Sequence, residues 1–140
     1  MGRRVKHRAL EVSGLGHIAL RVTDLARAKA CYTGTLGFEV MLETEGLVPV
    51  NGYGILLGMK GNDPHTPRGD RFAPHRVGRD HLALAVAERD TLDRLAVILN
   101  AAGVRHNGSE EDPLTRAPYS SFYDPDGIAW EFYVFALPSA

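Results

Sequence analysis

Two short stretches of the chain share one pattern of apolar and polar positions. "GHIALRV", ending at Val22, and "DHLALAV", ending at Val86, alternate bulky apolar residues with small or polar ones. Alternation with a period of two is typical of a half-buried β-strand. Each stretch has a histidine as its second residue, His17 or His81, so the two stretches indicate an internal repeat.

The segments that follow these strands extend the repeat. An aspartate N-cap, Asp24 or Asp90, begins a helical segment in each half, and a glycine, Gly37 or Gly103, follows it as a C-cap. Three strands are predicted after each helix. In the first half they are "FEVMLETE", "LVPV" and "YGILLGMK", with a hairpin turn at Asn51-Gly52. In the second half they are a short strand at Val104, a polar loop "NGSEEDPLTRA", then "PYSSFY" and, after a "DPDG" turn, "IAWEFYVF".

These elements divide the chain into one domain of two modules, each with the order strand–helix–strand–strand–strand. We expect a mobile N-terminal tail over residues 1–12 and a single domain over 13–140. Within it, module one covers about 13–60, a linker rich in Pro, Gly and charge covers 61–79, and module two covers 80–137.

The alternation also separates the two faces of each strand. Bulky residues such as Leu20, Leu84 and Phe132 must pack on the helices, which leaves His17, His81 and Glu131 on the opposite face among alanines. Small neighbours leave open volume above the sheet. Arg21, Lys60 and Tyr133 share this face and are candidates for substrate binding, with strand-end or packing roles as the alternative.

Composition and charge narrow the class of protein. The 140 residues carry a formal net charge of −1, which argues against nucleic-acid binding, and no apolar run suits a membrane span. A single cysteine, Cys31, excludes an internal disulfide and is typical of a cytoplasmic protein. Its setting among Ala and Tyr favours a small core residue over a nucleophile.

Two imidazoles and one carboxylate form the ligand set that binds Fe(II), Mn(II) or similar ions and leaves positions open for substrate. A lone strand histidine is usually a surface residue, but two at equivalent repeat positions with a carboxylate on the same face favour a metal site. Aligning "GILLGMK" with "GIAWEFY" places Gly58 opposite Glu131. Because glycine has no side chain to coordinate a metal, we predict three protein ligands: His17, His81 and Glu131.

"GHIALRV", "LGFEV", "DHLALAV" and "DPDGIAWEF" together resemble the vicinal oxygen chelate superfamily, also called the glyoxalase/bleomycin resistance protein/extradiol dioxygenase superfamily. The resemblance covers roughly Gly14 to Phe135. It implies an α+β fold in which two βαβββ modules form a curved, incomplete eight-stranded barrel with helices outside. It also implies metal ligands at His17, His81 and Glu131, and a homodimer.

The resemblance leaves the reaction open, because one fold hosts many chemistries. Gly58 departs from the fourth ligand of glyoxalase I-like members, so the best match is an extradiol, catechol 2,3-dioxygenase-like ring cleavage with Fe(II). Candidate proton-transferring residues are Tyr119 and Tyr123, which flank the position of the family's tyrosine, and His106. The alternatives are a lyase, an isomerase or an epoxide-opening thiol transferase using Mn(II), Zn(II) or Ni(II), and a non-catalytic protein that binds a small molecule such as an antibiotic.

Overall fold

The computed structural model of the protein describes residues 10–135. Residues 1–9, which hold most of the predicted tail, lie outside the described residues. The eight strands are β1 (Ile18–Arg21), β2 (Glu39–Val40), β3 (Leu47–Gly52), β4 (Ile55–Lys60), β5 (Leu82–Val86), β6 (His106–Glu111), β7 (Pro118–Tyr123) and β8 (Ala129–Val134). The helices are α1 (Leu25–Lys29), which continues into a π-helical segment (Ala30–Thr35), and α2 (Asp90–Ala102).

The two predicted modules are confirmed as two four-stranded mixed sheets of the same topology. Module one has the strand order β1-β4-β3-β2 and module two the order β5-β8-β7-β6. In each, the first strand pairs in parallel with the last, and the remaining pairs are antiparallel. Over the described residues the two sheets remain separate, so one chain does not close them into a barrel.

Both helices start near the positions that the sequence indicates. The Asp24 carboxylate accepts a hydrogen bond from the Arg27 amide at 3.0 Å and caps α1 as predicted. In α2 the cap residue is Arg89 instead, and Asp90 is the first helical residue. There its charge interacts favourably with the positive end of the helix dipole.

The hairpin in module one differs from the prediction. Asn51 and Gly52 lie inside β3, and the turn falls on Tyr53 and Gly54, which both have positive φ angles. Gly52 is needed for close approach, since a Cβ there would lie 2.8 Å from the Phe38 ring. Packing against Phe38 thus explains why position 52 is a glycine, which in the sequence resembles a turn signal.

Two strand predictions are also wrong. Residues 107–111, predicted as the start of a polar loop, lie in the edge strand β6 (His106–Glu111), and the long strand predicted at "FEVMLETE" is reduced to Glu39–Val40. Strand β6 is mostly exposed, and its sequence lacks the alternation of apolar and polar residues that would predict a strand. Its structure is determined by pairing with β7.

One hydrophobic core joins the modules. The bulky faces of both sheets, including Leu57 and Met59 of β4 and Trp130 of β8, are buried in it together with Leu92, Leu95 and Leu99 of α2. Because strand side chains alternate, the opposite faces of both sheets point away from this core.

The "DPDG" turn of module two forms hydrogen bonds with module one. Asp124 is buried and accepts a hydrogen bond from the Tyr32 hydroxyl at 2.8 Å, and the Trp130 indole donates to the same hydroxyl at 3.0 Å. Asp126 accepts from the Thr23 amide at 3.0 Å and from the Arg27 guanidinium at 3.1 Å. Buried carboxylates are stable only when their acceptors are satisfied, so these contacts determine how the modules pack.

Among the described residues, no helix has both the length and the apolar character that crossing a membrane requires.

Replacing Tyr32 with Phe removes a hydroxyl that serves both Asp124 and Trp130. The buried Trp130 indole N–H and Asp124 Oδ2 would each lose this partner, while Asp124 Oδ1 keeps the Asp126 and Ile128 amides. We therefore expect the free energy of unfolding to fall by about 2 kcal/mol in urea denaturation. Tyr123→Phe is the control, because its half-exposed hydroxyl makes one 3.3 Å contact with Asn107. Equal stability of the two variants would contradict the role assigned to the turn.

The thiol of Cys31 should be inert in the folded protein. Burial raises its pKa to about 11, with a smaller contribution from the charge of Asp124. At pH 8 only about one thiol in a thousand is then ionised, and only the thiolate reacts. Ellman's reagent should label Cys31 slowly in the folded protein and quickly in urea. Rapid stoichiometric labelling of the folded protein would contradict this environment.

Candidate metal and substrate site

His81 and Glu131 lie together on the open face of module two. His81 precedes β5, Glu131 lies in β8, and the parallel register pairs Glu131 with Ala83. The His81 Nε2 atom is 3.4 Å from Glu131 Oε1. Both line a cavity of about 390 Å³, whose other lining residues are Ala83, Asp112, Pro113, Tyr119 and Tyr133.

A neighbouring carboxylate orients the His81 ring. Asp80 Oδ1 lies 2.7 Å from His81 Nδ1. When Nδ1 carries the proton and donates it to Asp80, Nε2 presents its lone pair to the cavity. Carboxylate–histidine pairs of this kind fix the tautomer of metal-binding histidines.

Glu131 is largely shielded, with 16% of its side chain exposed. Burial raises its pKa above the usual value, and the neighbouring His81 opposes that rise. The Ser121 hydroxyl lies 3.5 Å from Glu131 Oε2, at the limit for a hydrogen bond. A cation that binds beside a shielded carboxylate stabilises its ionised form.

The donors His81 and Glu131 fit a divalent metal ion. A neutral imidazole lone pair and a carboxylate oxygen are both acceptors, and they face each other across 3.4 Å. A cation between two such groups would satisfy both. The pair leaves several coordination positions free for a third protein ligand and for substrate.

His17 does not join this pair within one chain. It is exposed and precedes β1, at the edge of the other sheet. Over residues 10–135, no group of three His, Cys, Asp or Glu side chains is placed to hold a metal.

Gly58 has the position that the repeat alignment assigns to it. It pairs with Ala19 as Glu131 pairs with Ala83, so the two sites are equivalent in the two sheets. A Cβ at Gly58 would meet Leu47 Cδ1 at 3.5 Å, and module one offers no carboxylate at this position.

The cavity contains one polar residue that the sequence analysis did not single out. Asp112 accepts hydrogen bonds from the Leu114 and Thr115 amides at 2.8 and 3.3 Å, and from the Tyr133 hydroxyl at 2.9 Å. The "DPLT" sequence at Asp112 is a turn signal in which an Asp caps its own loop, and that signal was available. Its position over the cavity required the β6–β7 pairing.

The other predicted site residues are dispersed. Tyr119 and Tyr133 line the cavity, whereas Tyr123 lies under the Arg105 guanidinium, 4.0 Å from its ring centre, and does not. His106 makes contacts through both ring nitrogens, to Asn100 and to the Gly108 amide, away from the cavity. On module one, Arg21 is paired with Asp63 at 3.3 Å, and Lys60 is exposed beside it on β4.

A family comparison agrees with this architecture. The model of the glyoxalase/bleomycin resistance protein/dioxygenase superfamily matches residues 14–132. The chain belongs to this superfamily.

Two proteins of known sequence illustrate what the chain is similar to, one of similar length and one longer. The uncharacterized protein YwkD of Bacillus subtilis (strain 168) is 30% identical over 129 residues, which cover 87% of this chain and 97% of YwkD. The catechol-2,3-dioxygenase of the same organism is 29% identical over 117 residues, covering 78% of this chain but 39% of the enzyme.

Solved structures of superfamily domains share the fold. A glyoxylase/bleomycin resistance protein/dioxygenase domain from Frankia sp. EAN1pec has a TM-score of 0.77 at 26% identity, covering 90% of this chain and 100% of that domain. The fosfomycin resistance protein FosX of Listeria monocytogenes has a TM-score of 0.71 at 20% identity, covering 91% and 97%, and supports the fold alone.

The environment of Glu131 can be tested by titration. In the metal-free protein, we expect its pKa to lie above the ordinary glutamate value, and to rise further in His81→Ala, which removes the opposing charge. Carbon-13 NMR of the side-chain carboxyl measures both. A Glu131 pKa below the ordinary value, or a fall in His81→Ala, would contradict the burial described here.

Proposed function

We propose that the protein is a metal-dependent enzyme acting on a small substrate with two adjacent oxygens, and that the reaction is extradiol cleavage of a catechol ring. The observation that carries the proposal is the His81 and Glu131 pair, 3.4 Å apart in an open cavity and oriented by Asp80. The match to a catechol-2,3-dioxygenase supports the choice of reaction.

We further propose that His17 of a second copy completes the ligand set. His17 and His81 precede β1 and β5, which are the edge strands of their sheets and have unpaired backbone groups. If β1 of one copy lies beside β5 of another, the two histidines meet on one open face. A two-fold dimer would form two identical sites of this kind.

Each residue then has a defined task. His81 and Glu131 would hold a divalent ion together with the second copy's histidine. Such an ion would supply Lewis acidity toward two adjacent oxygens and, as Fe(II), reactivity toward O₂. Burial and the charge of Glu110 raise the pKa of Tyr119, so its hydroxyl stays protonated. That hydroxyl donates to Glu110 Oε2 at 3.2 Å, and rotation away from this exposed partner would let it serve as a proton donor at the cavity wall.

Gly58 disfavours the glyoxalase alternative, because a fourth carboxylate is missing where the repeat would place it. Mn(II), Zn(II) or Ni(II) fit the same three donors, so the ligand set does not distinguish lyase or epoxide-opening chemistry from ring cleavage. Activity assays with each class of substrate distinguish these reactions. A binding protein without turnover is the remaining alternative.

Metal uptake tests the ligand set. Protein purified anaerobically should bind about one Fe(II) per chain, and alanine at His17, His81 or Glu131 should lower affinity at least tenfold. His75→Ala is the matched control, because His75 is exposed in the linker. Undiminished uptake in the three variants would refute the site.

Mixing variants tests the second copy. His17→Ala and His81→Ala are each expected to be inactive, but mixed dimers restore one intact site. After subunit exchange, about a quarter of wild-type metal binding should return. If mass spectrometry shows mixed dimers but metal binding does not return, the result would contradict a shared site.

Ring cleavage has a direct readout. The Fe(II)-loaded protein should convert catechols to yellow ring-opened products with consumption of O₂, and Tyr119→Phe should slow turnover about a hundredfold. Metal uptake with tight catechol binding but no product, epoxide opening or 2-oxoaldehyde conversion would favour the binding protein.

A further inference from the structure

The loop that joins β6 to β7 lies over the cavity and holds one tyrosine in place. Asp112 organises this loop through the Leu114 and Thr115 amides, and two backbone hydrogen bonds, Asp112 to Ala117 and Arg116 to Asp112, close it at 2.9 and 2.8 Å. The loop therefore has a defined shape next to the proposed metal ligands.

Tyr133 is fixed at both ends of its side chain. Its ring stacks on Tyr119, its cross-strand partner, with ring centres 6.0 Å apart and planes 19° apart. Its hydroxyl donates to Asp112 Oδ2 at 2.9 Å and also contacts the Thr115 hydroxyl. Glu131 and Tyr133 are two residues apart on one strand, so their side chains share the open face.

These contacts decide the polarity that the cavity shows to a ligand. Because the Tyr133 proton is committed to Asp112, the Thr115 hydroxyl is the donor in its contact with Tyr133, and the phenolic oxygen can only accept a further hydrogen bond from a bound molecule. Asp112 is also an acceptor: the Leu114 amide, followed by the Tyr133 hydroxyl, holds the pKa of its carboxyl below the ordinary value. Within one chain, the cationic candidates of module one, Arg21 and Lys60, do not line this cavity, and the charge of Arg21 is paired with Asp63.

We propose that Tyr133, held by Asp112 and Thr115, is a substrate-positioning residue that accepts a hydrogen bond from a substrate hydroxyl, and that Asp112 makes the site select uncharged ligands over anionic ones. The inference rests on the proposed function, since the ligand is taken to bind beside His81 and Glu131. It specifies the substrate class as a neutral diol with a hydroxyl directed at Tyr133.

Anaerobic calorimetry on the Fe(II)-loaded protein tests this with two ligands of similar size. These are 4-methylcatechol, which is uncharged, and 3,4-dihydroxybenzoate, whose carboxylate is ionised. We expect 4-methylcatechol to bind about tenfold more tightly, because the ionised carboxyl of Asp112 repels a second carboxylate in the same cavity.

Three variants identify the residues that cause the preference for the uncharged ligand. Asp112→Asn should reduce it to below about threefold, mainly through tighter binding of 3,4-dihydroxybenzoate. Tyr133→Phe should weaken 4-methylcatechol binding by about fivefold and leave metal content unchanged. Glu111→Gln is the matched control, since it removes the adjacent charge, which is paired with Arg116 outside the cavity lining. Thermal unfolding verifies that each variant is folded.

The outcomes separate the two proposals. Equal binding of both ligands by the wild type, an unchanged preference in Asp112→Asn, or loss of 3,4-dihydroxybenzoate binding in Lys60→Ala would overturn the inference alone. Failure of the metal-loaded protein to bind either diol would overturn the proposed function and the inference with it.

Discussion

The packing of the two modules depends on the carboxylates of one turn. Asp124 and Asp126 follow β7 in module two, yet the side chains bound to them include three donors of module one: Tyr32, Thr23 and Arg27. Since buried carboxylates need these partners, the bulky faces of both sheets stay against one core. The open faces therefore point outward, and His17 is separated from His81 and Glu131.

Sequence periodicity predicted the features that depend on local alternation. It assigned Ala83 and Glu131 to one face, and the repeat alignment placed Gly58 at the equivalent of Glu131, as the strand registers confirm. It placed the hairpin turn incorrectly, because Gly52 is required by its packing against the Phe38 ring and not by a turn. Strand β6 was missed because its pairing with β7, rather than its own side chains, determines it.

Periodicity also cannot show how two modules pack, because it reports the face of a side chain and not the direction in which that face points. The histidines His17 and His81 were correctly recognised as equivalent, but whether one chain brings them together depends on contacts such as that of Tyr32 with Asp124. The role of Asp112 was hidden for a similar reason. Its turn chemistry is local, whereas its place above the cavity arises from the β6–β7 pairing.

Superfamily membership limits the fold but not the reaction, so the chemistry must be argued from the cavity. There, a shielded Glu131, an oriented His81 and an acceptor surface at Tyr133 and Asp112 favour a cation and a hydroxyl-bearing ligand over an anion. The most direct test of the account is a crystal structure of the protein with Mn(II), located by its anomalous scattering. We predict one ion per chain, bound by His81 and Glu131 of one copy and by His17 of another. An ion held by all three residues of a single chain, or one bound away from His81 and Glu131, would contradict the account.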